Sequence, residues 1–140
     1  MTSSTLLLDR PETQLESQDI HLDKPLDGVI RRMFDAIDSR DFARLPDFFH
    51  PRVAYERPGY AVIDGLPALT HFYENIRIIA EGRHTVHSVF VSGASAAAAC
   101  GLFVGRSRSG EPLNEQFCDV YAFEAERIVR RKTFFFRKAI

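Results

Sequence analysis

The second half of the chain limits the fold most. From His84 onward it reads as four long extended runs, HTVHSVFVSG, AAAACGLFVGRSRSGE, LNEQFCDVYAFEAE and RIVRRKTFFFR, separated only by short breaks. Ser109-Gly110 is a hairpin signal, and Ala125-Glu126 falls where another tight turn is needed. Four strands joined this closely belong to one sheet.

Ahead of them the apolar residues recur at helical spacing. DKPLDGVIRRMFDAIDSRD predicts a helix: Asp23 can cap, Pro25 suits the first turn, and Leu26, Ile30, Met33 and Ile37 form one stripe. DFARLPDFFHP predicts a second, short helix from Phe42, Leu45 and Phe49, kinked or shortened by Pro46 and ended by His50-Pro51. A strand follows through VAYERPGY. DGLPALTHFYENIRIIAEG then predicts a third helix, with Leu69, Phe72, Tyr73, Ile76 and Ile79 on one side and Gly82 closing it. The order helix, helix, strand, helix, four strands fits an α+β domain whose helices pack on one face of a curved antiparallel sheet.

At 140 residues the chain makes one domain with a single core. Residues 1–23, with Asp9, Glu12, Glu16, Asp19 and Asp23 and little apolar periodicity, read as a poorly ordered acidic tail, which leaves residues 24–140 as the domain. The net charge of −1 supplies no field to attract nucleic acid or an anionic membrane. Leu6 to Leu8 is far too short for an export signal or a membrane span. Cys100 and Cys118 are too few for a disulfide framework and lack zinc-site spacing, so they read as reduced, which fits a cytoplasmic protein.

The phrases FFHPRVAYERPG, GLPALTHFYENIR and FCDVYAFEAERIVRRKTFFF, in that order and spacing, resemble the nuclear transport factor 2-like superfamily, in particular its SnoaL-like and ketosteroid isomerase-like branches. The small actinomycete proteins of polyketide and enediyne biosynthesis are similar in wording. The resemblance implies a cone-shaped curved antiparallel sheet wrapped around three helices, enclosing an apolar cavity. It covers about residues 26–136. The superfamily hosts isomerases, cyclases, epoxide hydrolases, dehydratases and carriers, so the residues must decide function. Against ketosteroid isomerase, Arg57 stands where that family has a carboxylate base before proline. Asp119 matches the acid of its oxyanion hole, Met33 or Phe34 stands at the tyrosine's place, and Tyr73 matches a second pocket tyrosine. Against the limonene-epoxide-hydrolase type, which uses an arginine and two aspartates, the strand AAAACGLFVG is uncharged and Thr133 replaces one aspartate.

Strand parity supplies the candidate site. Glu115, Phe117, Asp119, Tyr121 and Phe123 share a face, which mixes aromatics with an acid as a pocket wall should. A carboxylate there drifts toward the neutral acid unless a cation holds it ionised, and Arg57 and Arg77 are the candidate cations. Asp119 is then a general acid–base, a substrate anchor or half of a structural ion pair. By parity Tyr55 and Arg57 share a face and enter the cavity together, with Tyr60, after Pro58-Gly59, near its mouth; the alternative is a solvated sheet edge, since a strand end beside Pro-Gly is often exposed. Arg77 follows Tyr73 by four residues and shares its face on the third helix. His84 and His87 point to opposite sides of a strand and cannot chelate one metal; one of them can border the cavity, with His84 taken as the candidate, or serve as a structural histidine.

No phosphate loop, metalloprotease motif or nucleophile elbow occurs, and no cofactor or metal is implied. The basic run RIVRRKTFFFRK is expected to be a solvated strand, because alternation divides its charges between faces. Its aromatic residues suggest a homodimer interface on the outer sheet. The residues point to acid–base chemistry, and the resemblance implies an enzyme of cyclase, isomerase or dehydratase type on a hydrophobic, polyketide-like molecule. Asp119, Arg57 and Tyr73 are its catalytic candidates, and Tyr55, Tyr60, Arg77, His84, Phe117 and Tyr121 contact the substrate. The alternatives are a carrier without turnover and an interaction module.

Overall fold

The structure, a computed structural model, describes residues 25–136. The expectation for residues 1–23 lies outside the described residues. The first helix, α1 (25–38), buries Leu26, Ile30, Met33 and Ile37 as its stripe requires, together with Phe34. A 3-10 turn (Phe42–Arg44) and α2 (Leu45–Phe48) follow, with Pro46 in the first turn of α2, where its missing N–H costs nothing. Next come β1 (Phe49–Glu56), β2 (Ile63–Asp64) and α3 (Leu66–His71), which widens into a π-helical turn (Phe72–Ile76). The remaining strands are β3 (Ile79–Ser92), β4 (Ala96–Ser107), β5 (Pro112–Glu124) and β6 (Arg127–Phe135).

All six strands form one sheet in the order β2-β1-β6-β5-β4-β3. The sheet departs from the antiparallel expectation at one place: β1 runs parallel to β6, with Tyr55 opposite Arg131. Bulges interrupt the ladders between Val86 and Ser88 and between Ala122 and Phe123. Such extra residues bend and twist a strand, and here they curl the sheet so that its inner face meets the helices. Ala125 and Glu126 both adopt positive φ, the backbone of the tight β5–β6 turn. No helix among the described residues is long and apolar enough to cross a membrane.

The third helix is shorter than its apolar spacing predicts. It ends in the π turn, Arg77 is already extended, and Ile79 to Gly82 belong to β3. Ile76, Ile78 and Ile79 are β-branched and favour a pleated backbone, and pairing with β4 outweighs the helical periodicity. Gly82 is therefore a strand residue. A Cβ there, or on Gly105 of the neighbouring strand, would collide with the Phe103 ring, which lies across both backbones.

Candidate functional site

Between the inner face of the sheet and the π turn lies a cavity of about 120 Å³. Asp119, Arg57, Arg77, His84 and Phe117 line it together with Arg131 and Thr133. Its opening is marked by Ile78, which is 54% exposed.

The alternation of β5 places Phe117, Asp119, Tyr121 and Phe123 inward, all buried. Asp119 has no exposed surface, and its cation is neither Arg57 nor Arg77 but Arg131. Arg131 Nε and Nη2 lie 3.0 and 2.9 Å from Asp119 Oδ2. The same oxygen accepts the Tyr121 hydroxyl at 2.7 Å, and Oδ1 accepts Thr133 Oγ1–H at 2.6 Å. With its proton so committed, Thr133 accepts from the Tyr55 hydroxyl at 2.7 Å, which in turn accepts a long bond from Arg57 Nη1 at 3.4 Å. Arg131 Nη1 donates to the Tyr73 hydroxyl at 2.8 Å. Its guanidinium also stacks on the Tyr55 ring, 4.5 Å from the centroid.

Burial opposes the charge on Arg131, but Asp119 overrides it and holds the guanidinium well above its ordinary range. Burial, and then the Asp119 charge, push the Tyr121 phenol well up. Burial likewise raises Tyr73 against the lowering field of Arg131. Both phenols are protonated donors at neutral pH. The basic run is thus not wholly solvated: Arg130 and Lys132 face outward, while Arg131 and Thr133 face inward. The signal was present in the register, since Arg131 pairs with Tyr121 and Thr133 with Asp119.

The opposite wall has a different character. His84 Nδ1 lies 2.6 Å from Asp38 Oδ1, and the His84 backbone N–H donates to Asp38 Oδ2 at 2.7 Å. A carboxylate accepts only, so Nδ1 carries the proton and Nε2 is left with its lone pair. The ring stacks on Phe34 at 4.4 Å and meets Phe103 at 4.7 Å. Burial lowers the His84 pKa despite the Asp38 hydrogen bond, which keeps the imidazole neutral. Asp38 was not among the sequence candidates. It follows Phe34 by one helical turn, and that spacing was the available signal. His87, on the outer face, is exposed as parity requires.

Arg77, carried by the extended residue after the π turn, is 4% exposed. It forms no salt bridge with a described residue. Its guanidinium sits 5.2 Å from the Tyr73 centroid and 5.8 Å from that of Phe103, and burial lowers its pKa. Nε of Arg77 and Nε of Arg57 are buried without an acceptor among the described residues. Arg57 is packed against Phe72 and Phe135.

Three other candidates stand behind the cavity surface. Tyr55 backs Thr133, Tyr121 backs Asp119 and Tyr73 backs Arg131, each through its hydroxyl. Tyr60 packs edge-on against Phe72 and borders an outer groove with Val62 and Phe134. Among the described residues no cluster of three or more metal-ligating side chains occurs.

A family model, the SnoaL-like domain, matches residues 30–131. No curated protein matches. Among solved structures, an NTF2-like protein of unknown function from Burkholderia pseudomallei superposes with a TM-score of 0.72 at 20% identity, covering 79% of this chain and 90% of that one. A candidate SnoaL-like polyketide cyclase from Jannaschia gives 0.71 at 11% identity, over 81% and 87%. An epoxide hydrolase of M. tuberculosis, similar to the limonene-epoxide-hydrolase type, gives 0.70 at 14% identity, over 80% and 83%. At these identities the likeness is one of fold. The match over residues 30–131, set on a curled sheet that closes around an aromatic cavity, makes the chain a member of the SnoaL-like domain family.

Proposed function

We propose that this protein is an acid–base enzyme, of isomerase, cyclase or dehydratase type, that needs no cofactor and acts on a largely apolar small molecule enclosed in the cavity. The observation that carries the reading is the His84–Asp38 pair, 2.6 Å apart, on the cavity wall. Nε2 takes a proton from a carbon next to a carbonyl, the electron pair moves onto the carbonyl oxygen, and Asp38 stabilises the imidazolium. The imidazolium then returns the proton at another carbon, or to a leaving hydroxyl, so the base is regenerated. Asp119 and Tyr73 position Arg131 and hold the wall rigid, and Arg57 adds a positive charge to the lining.

A cavity of about 120 Å³ is close to the roughly 150 Å³ that encloses benzene, so a polyketide-like substrate would present a single ring. The test is deuterium exchange into the α-carbon of cyclic ketones in D₂O, followed by NMR. His84→Gln should slow it by about two to four orders of magnitude in a folded protein. Exchange no faster than in buffer would sink the catalytic reading, and ligand binding without exchange would favour a carrier.

Two further expectations belong to this reading. Cys100 and Cys118 are directly opposed on β4 and β5 and both are free, which suits a reducing compartment such as the cytoplasm. Val120 and Phe134, on the outer face of β5 and β6, are 47% and 48% exposed, and we propose that a second copy covers them in a homodimer. Sedimentation at micromolar concentration should give a dimer, and Phe134→Glu should give a monomer.

A further inference from the structure

We infer that the ligand of this cavity carries a carboxylate, held by Arg77 and Arg57, on an apolar body of about one ring. The inference rests on the cavity being the functional site but not on turnover. Arg77 is almost wholly removed from water, yet it lacks what Arg131 has a short distance away. Arg131 meets a carboxylate and a phenol oxygen, whereas among the described residues the Arg77 guanidinium lies against the rings of Tyr73 and Phe103 and forms no salt bridge. A buried cation without a counter-charge is costly, and Nε of both Arg57 and Arg77 is buried with no acceptor among the described residues.

A guanidinium is a planar fork of donors, and its natural complement is a planar anion with two oxygens. Both arginines line one cavity with His84, and Phe117 and Leu113 supply the apolar lining. The depressed pKa of Arg77 agrees with a cation that a bound anion would restore. A phosphate monoester also offers oxygens, but a tetrahedral group that approaches a double charge suits an aromatic lining less well, so it serves as an outcome of the test. Glu115 also lines the cavity, and its negative charge would oppose an anion there.

The test compares isosteric probes on the whole protein: benzoate, benzamide, benzylamine and phenyl phosphate. Binding is read from the melting temperature and from NMR shifts of the His84 ring protons. Benzoate should bind, while benzamide and benzylamine should be at least about tenfold weaker, since only benzoate makes charge-assisted bonds. Arg77→Met should weaken benzoate about ten- to a hundredfold, and Arg77→Lys, which keeps the charge but loses the fork, should fall between. Glu115→Gln should leave binding intact or tighten it.

Equal binding of benzoate and benzamide would overturn the inference, as would unchanged benzoate binding in Arg77→Met. Phenyl phosphate binding better than benzoate would replace the carboxylate with a phosphoester. His84→Gln separates the two readings. Benzoate binding retained there, beside absent ketone exchange in the unaltered protein, would leave the anion site standing and remove the enzyme.

Discussion

The two walls of the cavity are built from the same kinds of residue and treat them oppositely. Asp119 and Tyr121 of β5, Arg131 and Thr133 of β6, Tyr55 of β1 and Tyr73 of the π turn form a closed set in which each charge has its counter-charge. Arg77 and His84 on the facing side, and Arg57 beside Tyr55 at the edge of the closed set, keep nitrogens that no described side chain answers. A closed set makes a rigid, specific wall, and an open one leaves free energy for a ligand to collect. The comparison thus separates an acid tied into the closed set, Asp119, from the proposed base, His84, in the open one.

Breaking the closed wall should have the largest effect. Arg131→Met strands the Asp119 carboxylate, and Asp119→Asn strands the guanidinium. Each should cost about 3–5 kcal/mol, or a melting temperature lower by roughly 10 °C or more. The double change Asp119→Leu with Arg131→Met should recover most of the loss, because no unpaired charge remains. If Asp119→Asn melts normally, the wall is not the closed unit described here. If it also abolishes ketone exchange, Asp119 is a reacting group after all.

Acid should act next, through the open wall. Burial depresses the proton affinity of His84 in the folded chain, so at mildly acidic pH the unfolded chain binds a proton that the folded chain refuses. Stability is therefore complete above the ordinary histidine value of about 6.5 and declines as pH falls through the folded value. Urea midpoints at a series of pH values should show the decline, and His84→Gln should flatten it. The acid limb of ketone exchange should lie below the ordinary histidine value for the same reason. The smallest effect is expected from Arg77→Met without ligand. Removing an unanswered buried cation should leave the melting temperature unchanged or raise it slightly, in contrast to Arg131→Met. A loss comparable to that of Arg131 would mean that Arg77 belongs to the closed set.

Much of this was legible in the sequence where a local rule suffices. The inward set Phe117, Asp119, Tyr121 and Phe123 follows from alternation alone, and the helical stripe of α1 from its period. What escaped depends on contacts across the fold. Asp38 and His84 meet over 46 positions, and the one local signal, Asp38 a helical turn after Phe34, places the acid on the inner face of α1 without naming its partner. Arg131 sits in a run whose charges suggest solvent, and only its registration against Tyr121 turns it inward. The third helix was overextended because apolar spacing through Ile76 and Ile79 continues past the point where β-branching and strand pairing prevail. The parallel pairing of β1 with β6 leaves no mark on either strand.

The Phe103 ring lies over the backbones of Gly82 and Gly105 and touches both the His84 ring and the Arg77 guanidinium. The gauge of the chamber is therefore set by two missing methyl groups. A side chain at Gly82 would push the ring aside, and one at Gly105 would also strike the Glu81 carbonyl, so either would disturb His84 and Arg77 together and couple the volume of the chamber to its charge. Selection for a bulkier or slimmer ligand has one lever here, and it lies at positions that no ligand contacts.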